Sequence, residues 1–430
     1  MRSNRRQFLL GSAAVLAAGA SGFRPAFAAD ANLRQIFWGS QERANRTYKT
    51  NDLFTAANPG TKITGEFYAW NDYWPKLATE TAGGNAPDII QMDYRYIVEY
   101  ATRQAIAPLD EFVGKELDLH DFDQDQIEGG KVNGKLYGIS LGANSVASIV
   151  NTAAFKEAGV PVPDNNFTYD DLRAACEAFK KANIRGGMKA FQDGSGVEPL
   201  LENWLRQRGK ALYTADGKLG FDAKDATEWF KLWNDLRNDG LIVSADDQAL
   251  DTGPLDQTMV IQGKAAVTFA NSNQLVAFQA LTKDPLTITA FPRVGKDGKG
   301  GHYRKPSMFW SVAQQSKLQS DAAKYLSFFI NDVNANKTVL GVERGIPAAA
   351  SVRNAIAPTL SPQDQVALHF VANLGDLLGP IPPPPPSNAG EIDIDLILKT
   401  SQQVAFGQQS PEDAGPAFVQ QATDILSRKG

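Results

Sequence analysis

The sequence predicts an α/β protein of two domains, and three observations carry that expectation. The chain has 430 residues, more than one hydrophobic core comfortably serves. Its hydrophobic content of 43% is ample for two cores. From Leu33 to Met92 strand-like and helix-like segments alternate, the pattern of a largely parallel sheet covered by helices, and the same alternation restarts after Leu141.

Taken in order, Leu33–Trp38 reads as a strand, followed by Gly39-Ser40 and a helix to about Ala57 with Ala44, Tyr48 and Phe54 on one face. Asn58-Pro59-Gly60 stops that helix. Lys62–Tyr68 alternates as a second strand. A second helix begins near Asn71, a favourable cap, and sets Trp74, Leu77, Ala78, Thr81 and Ala82 on one face before Gly83-Gly84 ends it. Ala86-Pro87 leads into the buried strand Asp88–Met92. Lys131 to Tyr137 forms a hairpin, because Asn133-Gly134 tolerates the positive φ angles of a type I′ turn. A strand through Leu141 follows. Thr168-Tyr169-Asp170-Asp171 resembles a capping box and opens a helix with Leu172, Ala175, Cys176 and Phe179 inward. Ala223–Asp239 is a further helix whose Trp229, Leu232, Trp233 and Leu236 form a core stripe. Gln262-Gly263-Lys264 leads to the strand Ala265–Phe269 and the polar Asn271-Ser272-Asn273. Ser320 is placed to cap a helix burying Ala322, Tyr325, Leu326 and Phe329. Ile381–Pro386 is a stiff polyproline run, read as a surface spacer. Ser410-Pro411 opens the last helix, with proline at its first position.

The N-terminus points to export. Arg2, Arg5 and Arg6 precede a short apolar, alanine-rich run, and Ala26-Phe27-Ala28 has the small-x-small form of a cleavage site. The apolar run is too short for a permanent membrane span. Arg5-Arg6-Gln7-Phe8-Leu9 resembles the twin-arginine export motif, with Asn4 where that motif usually has Ser or Thr; a Sec leader with adjacent arginines is the alternative. The formal net charge is −5, and removing a leader rich in arginine makes the mature chain more acidic. That argues against a nucleic-acid or anionic-membrane partner. Cys176 is the only cysteine, so no internal disulfide forms and no lipidated cysteine follows the leader. It reads as a small core residue.

The chain carries few signs of catalysis. His120, His302 and His369 stand far apart without metal-ligand spacing, and the sequence contains no HExxH, paired CxxC, GxSxG or phosphate-loop motif. Gly194-Ser195-Gly196 reads as a turn. Glu391, Asp393 and Asp395 alternate along a possible strand and read as a solvated edge, although a carboxylate pair across a cleft is what a glycosidase needs. What the chain offers instead is aromatic residues beside carboxylates and amides at strand ends: Trp38, Tyr68, Trp70, Asp93 and Tyr94. Ligands of open α/β sheets sit outside the carboxyl ends of the strands. A sugar presents C–H faces that stack on aromatic rings and hydroxyls that bond polar side chains.

Several blocks then make the chain recognisable. Phe37-Trp38-Gly39-Ser40-Gln41-Glu42-Arg43, the run Trp70 to Leu77, the run Ala82 to Asp93, and Asn133 to Ile139 resemble carbohydrate-binding members of the extracellular solute-binding protein family 1. Asn151 to Val160, Gln262 to Val267 and Gly345 to Ala348 continue the series in the same order. Tyr94 departs from the tryptophan common in relatives. The resemblance implies an α/β, two-lobe periplasmic binding protein fold of type II, like maltose-binding protein, with lobes joined by multiple hinge crossings near 142–148, 286–292 and 341–347. With the leader read over 1–28, it implies a first lobe of 29–143 with 292–343 and a second lobe of 144–291 with 344–430. The implied function is capture of a sugar or oligosaccharide in the cleft and delivery to the permease subunits and ATPase of an ABC importer. The periplasmic protein would be a soluble monomer, without metal or cofactor and not an enzyme. Carried over position by position, Trp38, Glu42, Arg43, Trp70, Asp93 and Tyr94 face the cleft from the first lobe and Asn144 marks the first crossing. Trp204, Asn271, Trp310 and Arg344 are candidates from later segments. If Arg43 and Arg344 both face the cleft, their guanidinium forks suit an acidic sugar. The competing classes are an exported carbohydrate-active enzyme and a structural or adhesive surface protein.

Overall fold

The structure is a computed structural model that describes residues 31–298, 300–386 and 388–428. The leader and its cleavage site lie outside the described residues. The chain opens with strand β1 (Ala31–Trp38), whose last four residues are all buried. Ser40 accepts the Arg43 backbone N–H and so caps helix α1 (Gln41–Ala57). Strand β2 (Thr61–Tyr68) pairs in parallel with β1 along its full length, from Ala31↔Thr61 to Trp38↔Tyr68. Helix α2 (Trp70–Ala82) has Ala69 at its N-cap, two residues before the Asn71 cap expected from sequence. Strand β3 (Ile89–Met92) pairs in parallel with the other edge of β1. The hairpin β4 (Lys131–Val132) and β5 (Lys135–Leu136) turns on Asn133 and Gly134, with φ of 50° and 80° as a type I′ turn requires. Strand β6 (Ile139–Ser140) closes this first passage.

The chain crosses to the second lobe through β7 (Ala143–Asn144) and runs on as β8 (Val146–Asn151). Helix α3 (Tyr169–Ala182) carries the Thr168–Asp171 capping box and buries Leu172, Ala175, Cys176 and Phe179. Then come β9 (Lys189–Phe191), α4 (Glu198–Gln207), α5 (Ala223–Asn238), β10 (Ala265–Asn271) and β11 (Leu286–Thr289). Strand order in this sheet is β11-β8-β10-β9. It is mixed rather than largely parallel, because β8 comes straight from the crossing and runs against both β10 and β11. Only β9 and β10 run parallel.

The return to the first lobe is later than expected. Residues near 292 still belong to the second lobe: Arg293 is buried there, bonded to Asn166 and Gly298, and the Tyr169 N–H bonds the Arg293 carbonyl. The crossing is β12 (Lys305–Pro306), paired antiparallel with β7. Strand β13 (Phe309–Val312) then enters the first sheet antiparallel to β3 and β6, giving the order β2-β1-β3-β13-β6. Helix α6 (Gln319–Asn331) follows; its N-cap is Leu318, and Ser320 instead donates its hydroxyl to Glu116. A third crossing bridges Ile346 to Ala143. Here Gly345 has φ 104°, and a Cβ on Gly142 would stand 2.7 Å from the Arg344 carbonyl oxygen, so the three passages are packed too closely for larger residues. Helices α7 (Ile397–Ala405) and α8 (Pro411–Ser427) complete the second lobe, with Ser410 capping α8 and Pro411 at its first position.

Each lobe has its own core. Phe37, Tyr73, Trp310 and Tyr325 are fully buried in the first. Phe155, Phe179, Trp229, Phe230 and Trp233 fill the second, with Cys176 among them. Burial raises the Cys176 thiol to about 12, so it stays an inert core group.

Candidate ligand-binding cleft

Strands β1, β2 and β3 deliver their carboxyl ends to one rim of the first lobe. Trp38 is nearly buried there, its ring held 5.1 Å from Tyr73 and 5.6 Å from Trp74. Trp70 stands edge-on to Trp38 at 5.1 Å and remains 38% exposed, so it is the ring of this pair offered to a partner. Trp74 in turn lies 3.9 Å from Tyr96. Asp93 accepts the Arg95 backbone N–H at 2.8 Å and stays partly exposed. Tyr94 donates its hydroxyl to the Pro382 carbonyl at 2.6 Å, and Lys305 lies 5.9 Å from the centre of its ring.

That hydrogen bond ties the first lobe to the roof of a cavity of about 80 Å³ between the lobes. Tyr94 and Arg95 line it from the first lobe; Glu198, Glu202, Tyr213, Tyr303 and Asp393 line it from the second, under Pro382, Pro383 and Pro385. Glu198, Glu202 and Arg206 fall at i, i+4 and i+8 on one face of α4. Tyr303 donates its hydroxyl to Glu202 at 2.9 Å, and the Arg206 guanidinium sits 5.0 Å over the Tyr303 ring while bonding the Gly301 and Pro380 carbonyls. Tyr213 donates to Asp393 at 2.5 Å. Burial, with the Glu202 and Asp393 charges, holds the Glu198 carboxyl well above its usual range, opposed by Lys305 and Arg95. Burial likewise raises Asp393 to about 6 and raises Glu202, against the pull of Arg206. Carboxylates oriented by phenols, beside cations, can accept hydrogen bonds from several hydroxyls at once.

Two expectations are corrected here. The run Ile381–Pro386 is no free spacer: it is half-buried, roofs the cavity and takes the Tyr94 hydroxyl on Pro382. Glu391, Asp393 and Asp395 do not alternate along a strand, because Glu391–Leu396 winds as a π-type turn leading into α7. That winding turns Asp393 inward to Tyr213 and leaves Glu391 and Asp395 exposed.

The other expected residues divide. Glu42 is exposed and bonds Arg46 at 2.8 Å. Arg43 is engaged by Glu343 at 2.6 Å and by the Trp38 carbonyl at 3.3 Å. Asn144 is half-buried on β7, its Oδ1 without a hydrogen-bond partner among the described residues. Asn271 is exposed and caps the turn Ser272–Gln274. Three residues expected at the cleft lie elsewhere. Trp310 is fully buried, edge-on to Phe37 and Phe329, because the inward face of β13 belongs to the first core. Trp204 points to the opposite side of α4 from Glu202 and packs on Trp229, covered by the Arg208 guanidinium at 4.0 Å. Arg344 is buried among Phe37, Trp310 and Phe329 and donates to Gln91 and Thr47. Neither Arg43 nor Arg344 is a free fork.

A family model described as bacterial extracellular solute-binding protein matches residues 50–365. The chain belongs to this family. The binding protein is similar to the solved extracellular solute-binding protein family 1 structure from Alicyclobacillus acidocaldarius, with 30% identity, a TM-score of 0.79, and coverage of 93% of this chain and 100% of that one. It is 26% identical over 191 residues to a protein of Brucella abortus named as a binding protein, a match spanning 44% of this chain and 45% of the relative's length. A carbohydrate ABC transporter substrate-binding protein of Streptococcus pneumoniae is 40% identical over 96 residues, 22% of this chain and 19% of that one. Among the described residues of the binding protein, no group of three or more His, Cys, Asp or Glu is arranged to hold a metal, and no helix is long and apolar enough to cross a membrane.

The cavity residues that sequence reasoning missed are Arg95, Glu198, Glu202, Tyr213, Tyr303, Lys305 and Asp393. The Glu198–Glu202 spacing was visible as two like charges on one helical face. Tyr213 and Asp393, 180 residues apart, left no local signal of their meeting.

Proposed function

We infer that the protein is the substrate-binding component of an ABC importer and captures a sugar or oligosaccharide between its lobes. The observation that carries this is the inter-lobe cavity, where oriented carboxylates and phenols lie beside the Tyr94 ring. Sugars are recognised by that combination of ring faces and hydroxyl acceptors. The name of the pneumococcal relative supports the same ligand class. Because Arg43 and Arg344 are already engaged, an acidic sugar would have to be met by Arg95 and Lys305. Closure of the lobes on the ligand would create the face that permease subunits read, with their ATPase behind them. The protein would act in the periplasm as a monomer, delivered by the twin-arginine route, with no chemistry of its own. The test is a thermal-shift panel of sugars, amino acids and peptides on the mature protein. A sugar should raise Tm, by mass action about 2.7 kcal/mol of stabilisation at one hundred times Kd. Shifts given by amino acids or peptides alone would overturn the ligand class, and turnover of an oligosaccharide would make it an enzyme.

A further inference from the structure

The phenols around the inter-lobe cavity have already spent their protons. Tyr213 donates its hydroxyl to Asp393 and Tyr303 donates its own to Glu202. Tyr94, from the first lobe, donates to the Pro382 carbonyl. Toward a ligand all three can only accept. The acids beside them keep spare oxygens. Glu202 is 8% exposed, and among the described residues only Tyr303 donates to it. Glu198 is acted on by burial and by neighbouring charges, without a hydrogen bond. An ionised carboxylate taken out of water needs a hydrogen-bonded counter-charge.

The bases do not supply it. Glu198, Glu202 and Asp393 line the cavity with Arg95 and Lys305, three acids against two bases. Arg95 and Lys305 act on Glu198 and Asp393 through charge alone, not through a hydrogen bond. Arg206 lies over the Tyr303 ring and gives its donors to the Gly301 and Pro380 carbonyls. Arg95 is exposed and belongs to the first lobe, so when the lobes part it leaves the acids together on the second. Among the described residues no three acids are arranged to hold a metal ion. The positive charge that suits this wall is therefore one carried on an organic ligand.

We propose that the ligand is an amino sugar whose protonated amino group is received by Glu198, Glu202 and Asp393. The inference rests on the carbohydrate-binding reading above and narrows it. An ammonium group brings three donors and one positive charge to a wall made of acceptors. Its bonds to carboxylates are charge-assisted and roughly twice as strong as those of a neutral hydroxyl. An N-acetyl group in the same place has lost the charge and keeps one donor, and a uronate adds a further negative charge to three.

The experiment is calorimetric titration of the mature protein at pH 7 with glucosamine, galactosamine and mannosamine and with the linear di- and trimers of glucosamine. Each is compared with its N-acetylated, hydroxyl and uronic-acid counterparts. The amine form should bind about tenfold or more tighter than any counterpart. Glu198→Gln and Asp393→Asn each remove one negative charge at nearly constant shape, and each should cut that ratio at least about threefold. The ratio is read within one folded variant, so a general loss of affinity does not imitate the result. If one variant fails to fold, the other carries the test. A counterpart that matches or exceeds the amine form, or a preference that the folded variants keep in full, overturns the amino-sugar inference and leaves the carbohydrate reading standing. Absence of binding by every amino sugar does the same. Absence of binding by any sugar, in this series or in the thermal-shift panel, overturns the carbohydrate reading itself.

Discussion

Asp393 and Glu198 are titratable groups held away from their ordinary ranges inside the cleft, and that has a measurable consequence. An acid whose folded pKa lies above its unfolded value binds its proton more tightly in the folded state, so stability rises as pH falls through the folded pKa and is lowest above it. For Asp393, raised to about 6 by burial, the gain falls between about pH 6 and the usual aspartate range. Asp393→Asn should therefore raise Tm at pH 7.5 and flatten its rise between pH 7.5 and 5, with Glu198 and Glu202 supplying the remaining slope; a variant that keeps the parent's full slope refutes this. The tryptophans separate by role in the same way. Trp70→Ala should weaken sugar binding by roughly 1–3 kcal/mol with little change in Tm. Trp310→Ala and Trp229→Ala, emptying buried core positions, should cost about 3–5 kcal/mol of stability. Calorimetric titration beside thermal unfolding of the three variants checks both. At this scale the sequence was legible wherever one element decides a residue's environment, as with Cys176 in the α3 stripe. It failed for Trp204, Trp310 and Arg344, because an aromatic or a guanidinium beside a strand or helix end has the same local signature whether it faces a cleft or a core.

Among elements, the proline run and the hinge carry the most consequence. A polyproline segment is already extended, so roofing the cavity with Ile381–Pro386 orders little that was not ordered before. The single bond from Tyr94 to Pro382 joins that roof to the opposite lobe. Tyr94→Phe keeps the ring and should weaken ligand binding by about 0.5–1.5 kcal/mol, seen mainly as faster ligand release in stopped-flow fluorescence; unchanged release would place the bond outside closure. Gly345→Ala meets a positive φ and a Cβ 3.0 Å from the Gly142 carbonyl carbon, and should cost about 1–3 kcal/mol in chemical denaturation. Most helices and strands were legible from periodicity and caps. The π-type turn at Glu391–Leu396 was not, because an alternating i, i+2 pattern of acids reads as a strand unless the turn that interrupts it is known.

At the scale of the whole molecule, chain length indicated two domains, the alternation that restarts after Leu141 indicated their α/β class, and the family resemblance implied the two-lobe arrangement. The return crossing was misplaced because residues 292–304 read as a loop with no signal of which lobe holds them; the burial of Arg293 decides it. Export belongs to this scale too. Replacing Arg5 and Arg6 by lysine keeps the charge and removes the guanidinium pair, so precursor should accumulate in the cell, and normal export of the double variant would return the leader to the Sec route. Finally, the three passages between the lobes are bonded to one another: the Ala143 N–H to the Ile346 carbonyl at 2.7 Å, the Ile346 N–H to the Ala143 carbonyl at 2.9 Å, and the Ser307 N–H to the Gly142 carbonyl at 2.9 Å. A pivot of this kind bends as a small ribbon without surrendering its bonds. In deuterated solvent those amides should therefore exchange slowly in ligand-free and ligand-bound protein alike, while protection of the surfaces that swing about them changes with the ligand. The point about which the molecule moves would be among its quietest backbone.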